Sequence, residues 1–224
     1  MITSSNNAKV KQVVQWQTKA KERRKDHVFL AEGVRMCEEA PVKSVREVYL
    51  TEELEQKLRR NAQNGDTAFW DKLQQTGYET VSPEVFAKMA DTQTPQGILT
   101  VLEQPSYDLT QLLEQPEPLF LILENLQDPG NLGTMIRTGE GAGITGVIMN
   151  QQTVDIFNPK TIRATMGSIF RVPFVYVPEL SPVLTQMHEK GIHTYAAHLR
   201  DRNITIAFPS GSPPHFSSAM KETD

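Results

Sequence analysis

Residues 123–149, LENLQDPGNLGTMIRTGEGAGITGVIM, hold the densest group of side chains able to do chemistry. A strand ends at Glu124, Pro129 and Gly130 turn the chain, and Asn131 stands where a helix N-cap belongs. Arg137 follows six positions later, and Gly133 leaves the first helical turn open to a close ligand. A guanidinium is nearly always protonated, so chemistry here is electrostatic stabilisation or anion positioning. Ligands of open parallel sheets bind beyond the carboxyl ends of the strands, which makes this turn a candidate site. An ordinary capped helix with a surface arginine satisfies the same spacing. Gly139, Gly141 and Gly143 come after the helix pattern, so they do not form a dinucleotide fingerprint.

The elements around this turn form a rhythm. LFLIL (119–123), TGVIM (145–149), VPFVYV (172–177) and HTYAA (193–197) read as apolar strands. Helices lie between them, from about Asn131, near Lys160 to Met166, and up to Lys190. Apolar strands alternating with helices imply a parallel sheet covered on both faces. Upstream, segment 5–25 is polar and helix-prone, and Phe29, Leu30, Val34 and Cys37 recur at roughly helical spacing. REVYL (46–50) and GILTVLE (97–103) read as strands, with TEELEQKLRRNAQ and SPEVFAKMA as helices between them. This first half is a compact α/β unit. EQPSYDLTQLLEQPEP (103–118) carries three prolines and little periodicity, so the expected division is a domain at 1–104, a linker at 105–118 and a domain at 119–224.

Composition excludes several classes. The chain has 224 residues, 22% of them charged, and a net charge of -4. It is long enough for real cores and too balanced for wholesale disorder. Cys37 is the single cysteine, which excludes a disulfide framework or a cysteine-based zinc site and suggests a reducing compartment. His27, His188, His193, His198 and His215 show no ligand spacing, so no metal is expected. No apolar run is long enough to span a bilayer and the first residues lack a signal-like apolar stretch, so the expected location is cytoplasmic, without a membrane partner.

The mild total hides a polarity. Within the first thirty residues seven cations oppose Glu22 and Asp26, a local balance of +5 that leaves -9 for the remainder. Lys21, Arg23, Arg24 and Lys25 are the centre of this basic arm. A solvated helix face and an RNA-docking surface both fit it.

NLGTMIRTGEGAG resembles the first signature motif of the SpoU/TrmH family of RNA 2'-O-ribose methyltransferases, in the knotted SPOUT superfamily. NPKTIRATMGSIFRVPF (158–174) and HTYAAHL (193–199) resemble the segments that follow it. The basic helix, FLAEGVRM (29–36) and TPQGILTVLE (94–103) resemble the family's N-terminal substrate-binding domain, a ribosomal-protein-like α/β fold. The resemblance implies methyl transfer from S-adenosylmethionine to a ribose 2'-hydroxyl of rRNA or tRNA, with a non-catalytic RNA-binding protein as the alternative. It assigns Asn131 and Arg137 to activation of that hydroxyl, and Ala197 and His198 to the cofactor. Lys21, Arg23, Arg24, Lys25, Arg35 and Arg171 are the candidates for RNA contact. Ser168 and Arg171 are equally well a helix-end hydroxyl and a surface cation, and Glu124 either orients Arg137 or merely ends its strand. The family typically forms homodimers.

The family pattern continues with a Gly-Asn-Glu-Gly-like turn and a Ser-Leu-Asn helix start, and neither stands in the tail NITIAFPSGSPPHFSSAMKETD. The expected fold is therefore an α/β knot domain lacking its C-terminal knot-forming part and most of its cofactor pocket. Read from the third base of each codon, Pro213 to Asp224 permit AAFLIGNEGNGL, in which the glutamate, over Met220 and Lys221, and the final leucine, starting in Asp224, are forced. This predicts a frameshift near Asn203.

Overall fold

The computed structural model describes residues 1–200 and 203–207. Packing divides the chain into two units, one of Met1–Pro105 with Phe157–Phe170, the other of Ser106–Ile156 with Arg171 onward.

In the first unit, the helix-prone N-terminal segment breaks in two. Helix α1 (Ala8–Thr18) is capped by Asn7, whose side chain accepts from the Lys9 N–H, and α2 (Ala20–Asp26) follows after Lys19 turns to an extended conformation. His27, in the left-handed region at φ 52, closes α2 and releases the chain into strand β1 (Val28–Glu32). All five residues of β1 are buried, which corrects the helical reading of this stretch. A short apolar run buried on both faces has no period to distinguish strand from helix. Gly33, at φ 97, then turns the chain into helix α3 (Val34–Glu39).

Strand β2 (Val45–Thr51) leads into α4 (Glu52–Gln63), whose N-cap is Thr51 and whose first turn is acidic, as the helix dipole favours. Helix α5 (Ala68–Thr76) and strand β3 (Glu79–Val81) follow, then α6 (Pro83–Met89), with Ser82 as cap and proline at the start, and β4 (Ile98–Glu103). The sheet order is β1-β4-β2-β3, with β4 antiparallel to both neighbours and β3 parallel to β2. Period-two alternation sends Tyr49, Val81, Leu99 and Val101 to one face, against Val13, Trp16 and Phe86. Val48, Leu50 and Ile98 point the other way, against Leu54, Leu58, Phe69 and Leu73.

In the second unit, the proline-flanked stretch contains a short helix, α7 (Leu109–Leu113), capped by the Asp108 side chain. Leu112 and Leu113 enter the core with Phe120, Ile148 and Val175. Strands β5 (Phe120–Leu123), β6 (Gly146–Asn150) and β7 (Phe174–Val177) form a parallel sheet in that order. Helix α8 (Pro129–Gly141) crosses from β5 to β6 and buries Leu132, Gly133, Ile136 and Gly139 along one stripe. Helix α9 (Pro159–Thr165), capped by Asn158, packs within the first unit. Helix α10 (Ser181–Glu189) brings Val183 and Met187 to the second core. Strand β8 (Ala196–Arg200) starts three residues after the start of the predicted HTYAA strand and pairs antiparallel with β9 (Asn203–Ala207), not with the parallel sheet. The β-branched residues of NITIA suit this pairing, although the prolines that follow masked the signal. The alternative-frame motif over Pro213 to Asp224 lies outside the described residues.

Candidate active site

The turn between β5 and α8 is organised by Asp128, not Asn131. The Asp128 side chain accepts the Asn131 N–H at 2.7 Å, and Pro129 occupies the first helical position. Proline is favoured there because its missing N–H would have no helical partner. Asn131 is thus inside the first turn, which corrects its reading as the cap. Its side chain and that of Arg137 are both exposed. Six residues on a helix separate them by about 9 Å along the axis and about 120° around it, so α8 alone does not bring them together. The Arg137 guanidinium has no hydrogen-bond or ion-pair partner among the described residues, so Glu124 does not orient it. A guanidinium left free on an exposed helix face is available to an external anion.

A cavity of about 710 Å³ lies at the carboxyl ends of the parallel strands. Phe120 and Ile122 of β5 and Leu180 and Leu184 supply apolar wall, while Glu124, Glu179 and Ser181 supply charge and hydroxyl. The volume falls within the range of about 300–1,000 Å³ usual for small-molecule sites. Asn125 and Asn150 line it as a bonded pair, with Asn150 only 6% exposed. Sequence reading missed both. The available signal was a polar residue at the carboxyl end of each apolar strand, in LFLILEN and GVIMN.

Tyr176 stiffens the next loop. Its hydroxyl donates to the Val154 carbonyl at 2.6 Å and accepts the Ile156 N–H at 2.9 Å. Burial raises its pKa well above the usual phenol range, so it serves as a fixed neutral hydrogen-bonding group.

The remaining candidates separate. Ser168 is buried, and Arg171 pairs with Glu140 of α8. Ala197 and His198 lie on β8, where their register partners are Ile206 and Thr205. Thr194 and Tyr195, just before β8, line the cavity. Arg35 is exposed and pairs with Glu39 one helical turn on, at 2.9 Å. Lys21, Arg24 and Lys25 are exposed on α2. Arg23 is not: it is 3% exposed, and its Nη1 donates to the carbonyls of Trp16 at 2.8 Å and Gln17 at 3.3 Å. Arg23 therefore fastens the end of α1 and does not belong to the exposed basic surface. The charge run treated four neighbouring cations alike, whereas helical periodicity turns one inward.

The parallel sheet with a cavity at its strand ends, and an α/β unit whose first helices carry a basic surface, define a two-unit α/β protein. The SpoU rRNA Methylase family model matches residues 118–216, and a model described as the MRM3-like substrate binding domain matches residues 7–100. The first match runs past Asn203. The chain is 33% identical over 203 residues to the 23S rRNA (guanosine(2553)-2'-O)-methyltransferase RlmP of Bacillus subtilis (strain 168), covering 89% of this chain and 74% of that protein. It is 41% identical over 110 residues to the mitochondrial rRNA methyltransferase 3 of Homo sapiens, covering 47% of this chain and 26% of that one. An AdoMet-bound rRNA methyltransferase from Sinorhizobium meliloti superposes with a TM-score of 0.70 at 26% identity, covering 88% of this chain and 72% of that one. The chain belongs to the SpoU rRNA methylase family, of SPOUT fold.

Proposed function

We propose that the protein transfers a methyl group from S-adenosylmethionine to a ribose 2'-hydroxyl of ribosomal RNA. The observation that carries this reading is the 33% identity to the B. subtilis 23S rRNA 2'-O-methyltransferase, which extends over 203 residues and so across both units.

The cavity at the strand ends suits the cofactor. Its apolar wall accommodates an adenine ring, and Glu124 and Glu179 offer carboxylates to hydroxyl, ammonium and sulfonium groups. When bound, S-adenosylmethionine supplies an electrophilic methyl group. Ala197 and His198, two and three residues beyond the lining residue Tyr195, belong to the same cofactor-holding region.

The chain's own contribution is to make the hydroxyl a better nucleophile. The Arg137 guanidinium stabilises the negative charge developing on the ribose oxygen and positions the adjoining phosphate. Asn131, one helical face away, holds the ribose or the next phosphate. Neither group removes the hydroxyl proton, which would pass to water as the oxygen–methyl bond forms and the sulfur–methyl bond breaks, releasing the neutral thioether.

The first unit docks the RNA. Asp26, the acid at the end of α2, is drawn inward by Trp16 Nε1 at 2.7 Å and Gln12 Nε2 at 3.1 Å. That leaves Lys21, Arg24 and Lys25 outward without a partner among the described residues. Such cations bind phosphates with release of counterions. Arg35, paired with Glu39, is a further candidate for RNA contact, and Arg171 reaches RNA only by leaving Glu140. Among the described residues no helix is long and apolar enough to cross a membrane. The reading is completed by a cytoplasmic location and by the homodimer typical of the family.

Isothermal calorimetry of the chain with S-adenosylmethionine, followed by transfer of labelled methyl to ribosomal RNA and nuclease mapping, tests this. Resistance to alkaline cleavage at one nucleotide is the expected result. RNA binding without cofactor heat would leave the non-catalytic alternative.

A further inference from the structure

One donor in the cavity at the strand ends has its direction fixed by its neighbours. Where the chain leaves β5, the Asn125 backbone N–H donates to Asn150 Oδ1 at 2.9 Å. The oxygen of the Asn150 carboxamide is thereby committed, so its nitrogen is the arm that reaches the Asn125 side chain, at 2.7 Å. An amide nitrogen only donates, and its partner is therefore Asn125 Oδ1. With Oδ1 held in this way, Asn125 Nδ2 points away from Asn150, and it has no partner among the described residues.

The backbone on either side is fastened as well. Gln127 Nε2 donates to the Asn125 and Gln152 carbonyls, each at 2.9 Å, and the Val154 N–H donates to the Leu126 carbonyl at 2.8 Å. Asn125 is exposed and lines the cavity beside Glu124. Phe120 and Ile122 form the apolar part of the same wall, and the carboxylates of Glu124 and Glu179 are acceptors only. Ser181 adds a hydroxyl that rotates to donate or accept, whereas the polarity of Asn125 is set.

We propose that Asn125 Nδ2 donates to the α-carboxylate of S-adenosylmethionine and so gives the cavity its preference for a ligand with an amino-acid end. The proposal rests on the reading of this cavity as the cofactor site. A zwitterionic amino-acid end needs a donor for its carboxylate beside an acceptor for its ammonium, and the consecutive residues Asn125 and Glu124 supply the two. A hydrogen bond to a charged acceptor is among the stronger kinds, and an amide already held in one orientation loses little freedom in making it.

Calorimetry of the full chain with S-adenosylmethionine, and competition by decarboxylated S-adenosylmethionine, which keeps the ammonium and lacks only the carboxylate, tests this. Asn125→Asp keeps the acceptor for Asn150 Nδ2 and tolerates the left-handed turn, but puts an anion in place of the donor. Asn125→Gly keeps the turn and removes the donor. Each variant is expected to bind S-adenosylmethionine at least about tenfold more weakly, the scale of one charged hydrogen bond, and to bind the decarboxylated ligand no more weakly than the parent does. A thermal melt on the same preparations shows that each variant is folded. Equal losses for the two ligands, or an unchanged affinity for S-adenosylmethionine, overturn the role of Asn125 and leave the cavity as the cofactor site. A parent chain that binds neither ligand overturns both.

Discussion

Asn150 and Asn125 grip each other in both directions. Asn150 Nδ2 donates to Asn125 Oδ1 at 2.7 Å, and Asn150 Oδ1 accepts the Asn125 backbone N–H at 2.9 Å. Thr153 steadies the same oxygen, donating at 2.8 Å. Asn125 stands at φ 56, so this pair holds the chain in a left-handed turn where it leaves β5 for α8. Asparagine tolerates that conformation better than other side chains, and the partner amide selects it.

Replacing Asn150 by Leu removes the acceptor of the Asn125 N–H and is expected to cost about 1 kcal/mol, the usual net contribution of one hydrogen bond. Asn125→Gly keeps the left-handed turn and should be milder than Asn125→Ala by about 1 kcal/mol. Urea denaturation of the three variants checks the order. An alanine variant as stable as the glycine variant would show that the turn relaxes.

Arg137→Ala is expected to abolish methyl transfer. Because the guanidinium is exposed and unpartnered among the described residues, stability should change by no more than about 0.5 kcal/mol. Labelled-methyl incorporation and a thermal melt on the same preparation separate the two effects. Retained turnover removes Arg137 from the mechanism.

The basic helix should divide by position. Reversing Lys21, Arg24 and Lys25 to Glu is expected to weaken RNA binding and to flatten the slope of log K against log salt by about 0.7 for each phosphate that the variant no longer neutralises. Arg23→Ala should destabilise the fold by about 1.5–3 kcal/mol, since it removes charged hydrogen bonds to the Trp16 and Gln17 carbonyls. A salt titration and a urea melt read the two outcomes, and an Arg23 variant that melts like the parent contradicts its inward role.

Cys37 gives a pH signature. Burial pushes its thiol from 9.0 up to about 12, so the folded chain keeps a proton that the unfolded chain loses. The unfolded state then binds fewer protons from about pH 9 upward, and stability falls across that window. Tyr49 and Tyr176, also raised by burial, act in the same direction at higher pH. Melting temperatures from pH 7 to pH 11 should decline only in the alkaline part, and thiol reagents should label Cys37 only on unfolding. Labelling of the native chain at neutral pH would count against this burial.

The elements with clear periods were legible from residues alone. The capped helices after Thr51, Ser82 and Asn158 carry their own signals in side-chain spacing and cap chemistry, and the apolar runs LFLIL, TGVIM and VPFVYV read as strands from their regular alternation with helices along the chain. The apolar VFLAE run had no such period and became a strand only because two layers of helix cover both its faces. Helix α7 hid between prolines, since five residues are too few for a pattern and its stability comes from packing Leu112 and Leu113 against β-strand residues.

Local chemistry thus determined the NLGTMIRTGEGAG helix, the polarity of the basic arm and the class of reaction those residues resemble. Only tertiary structure decided that Arg23 faces inward while its neighbours face out, that Asp128 caps the helix assigned to Asn131, and that Asn125 meets Asn150 across 25 residues of chain. The physical reason is range: caps and periods are settled within one or two turns, whereas the direction in which a polar side chain points depends on which distant carbonyl or amide is waiting for it.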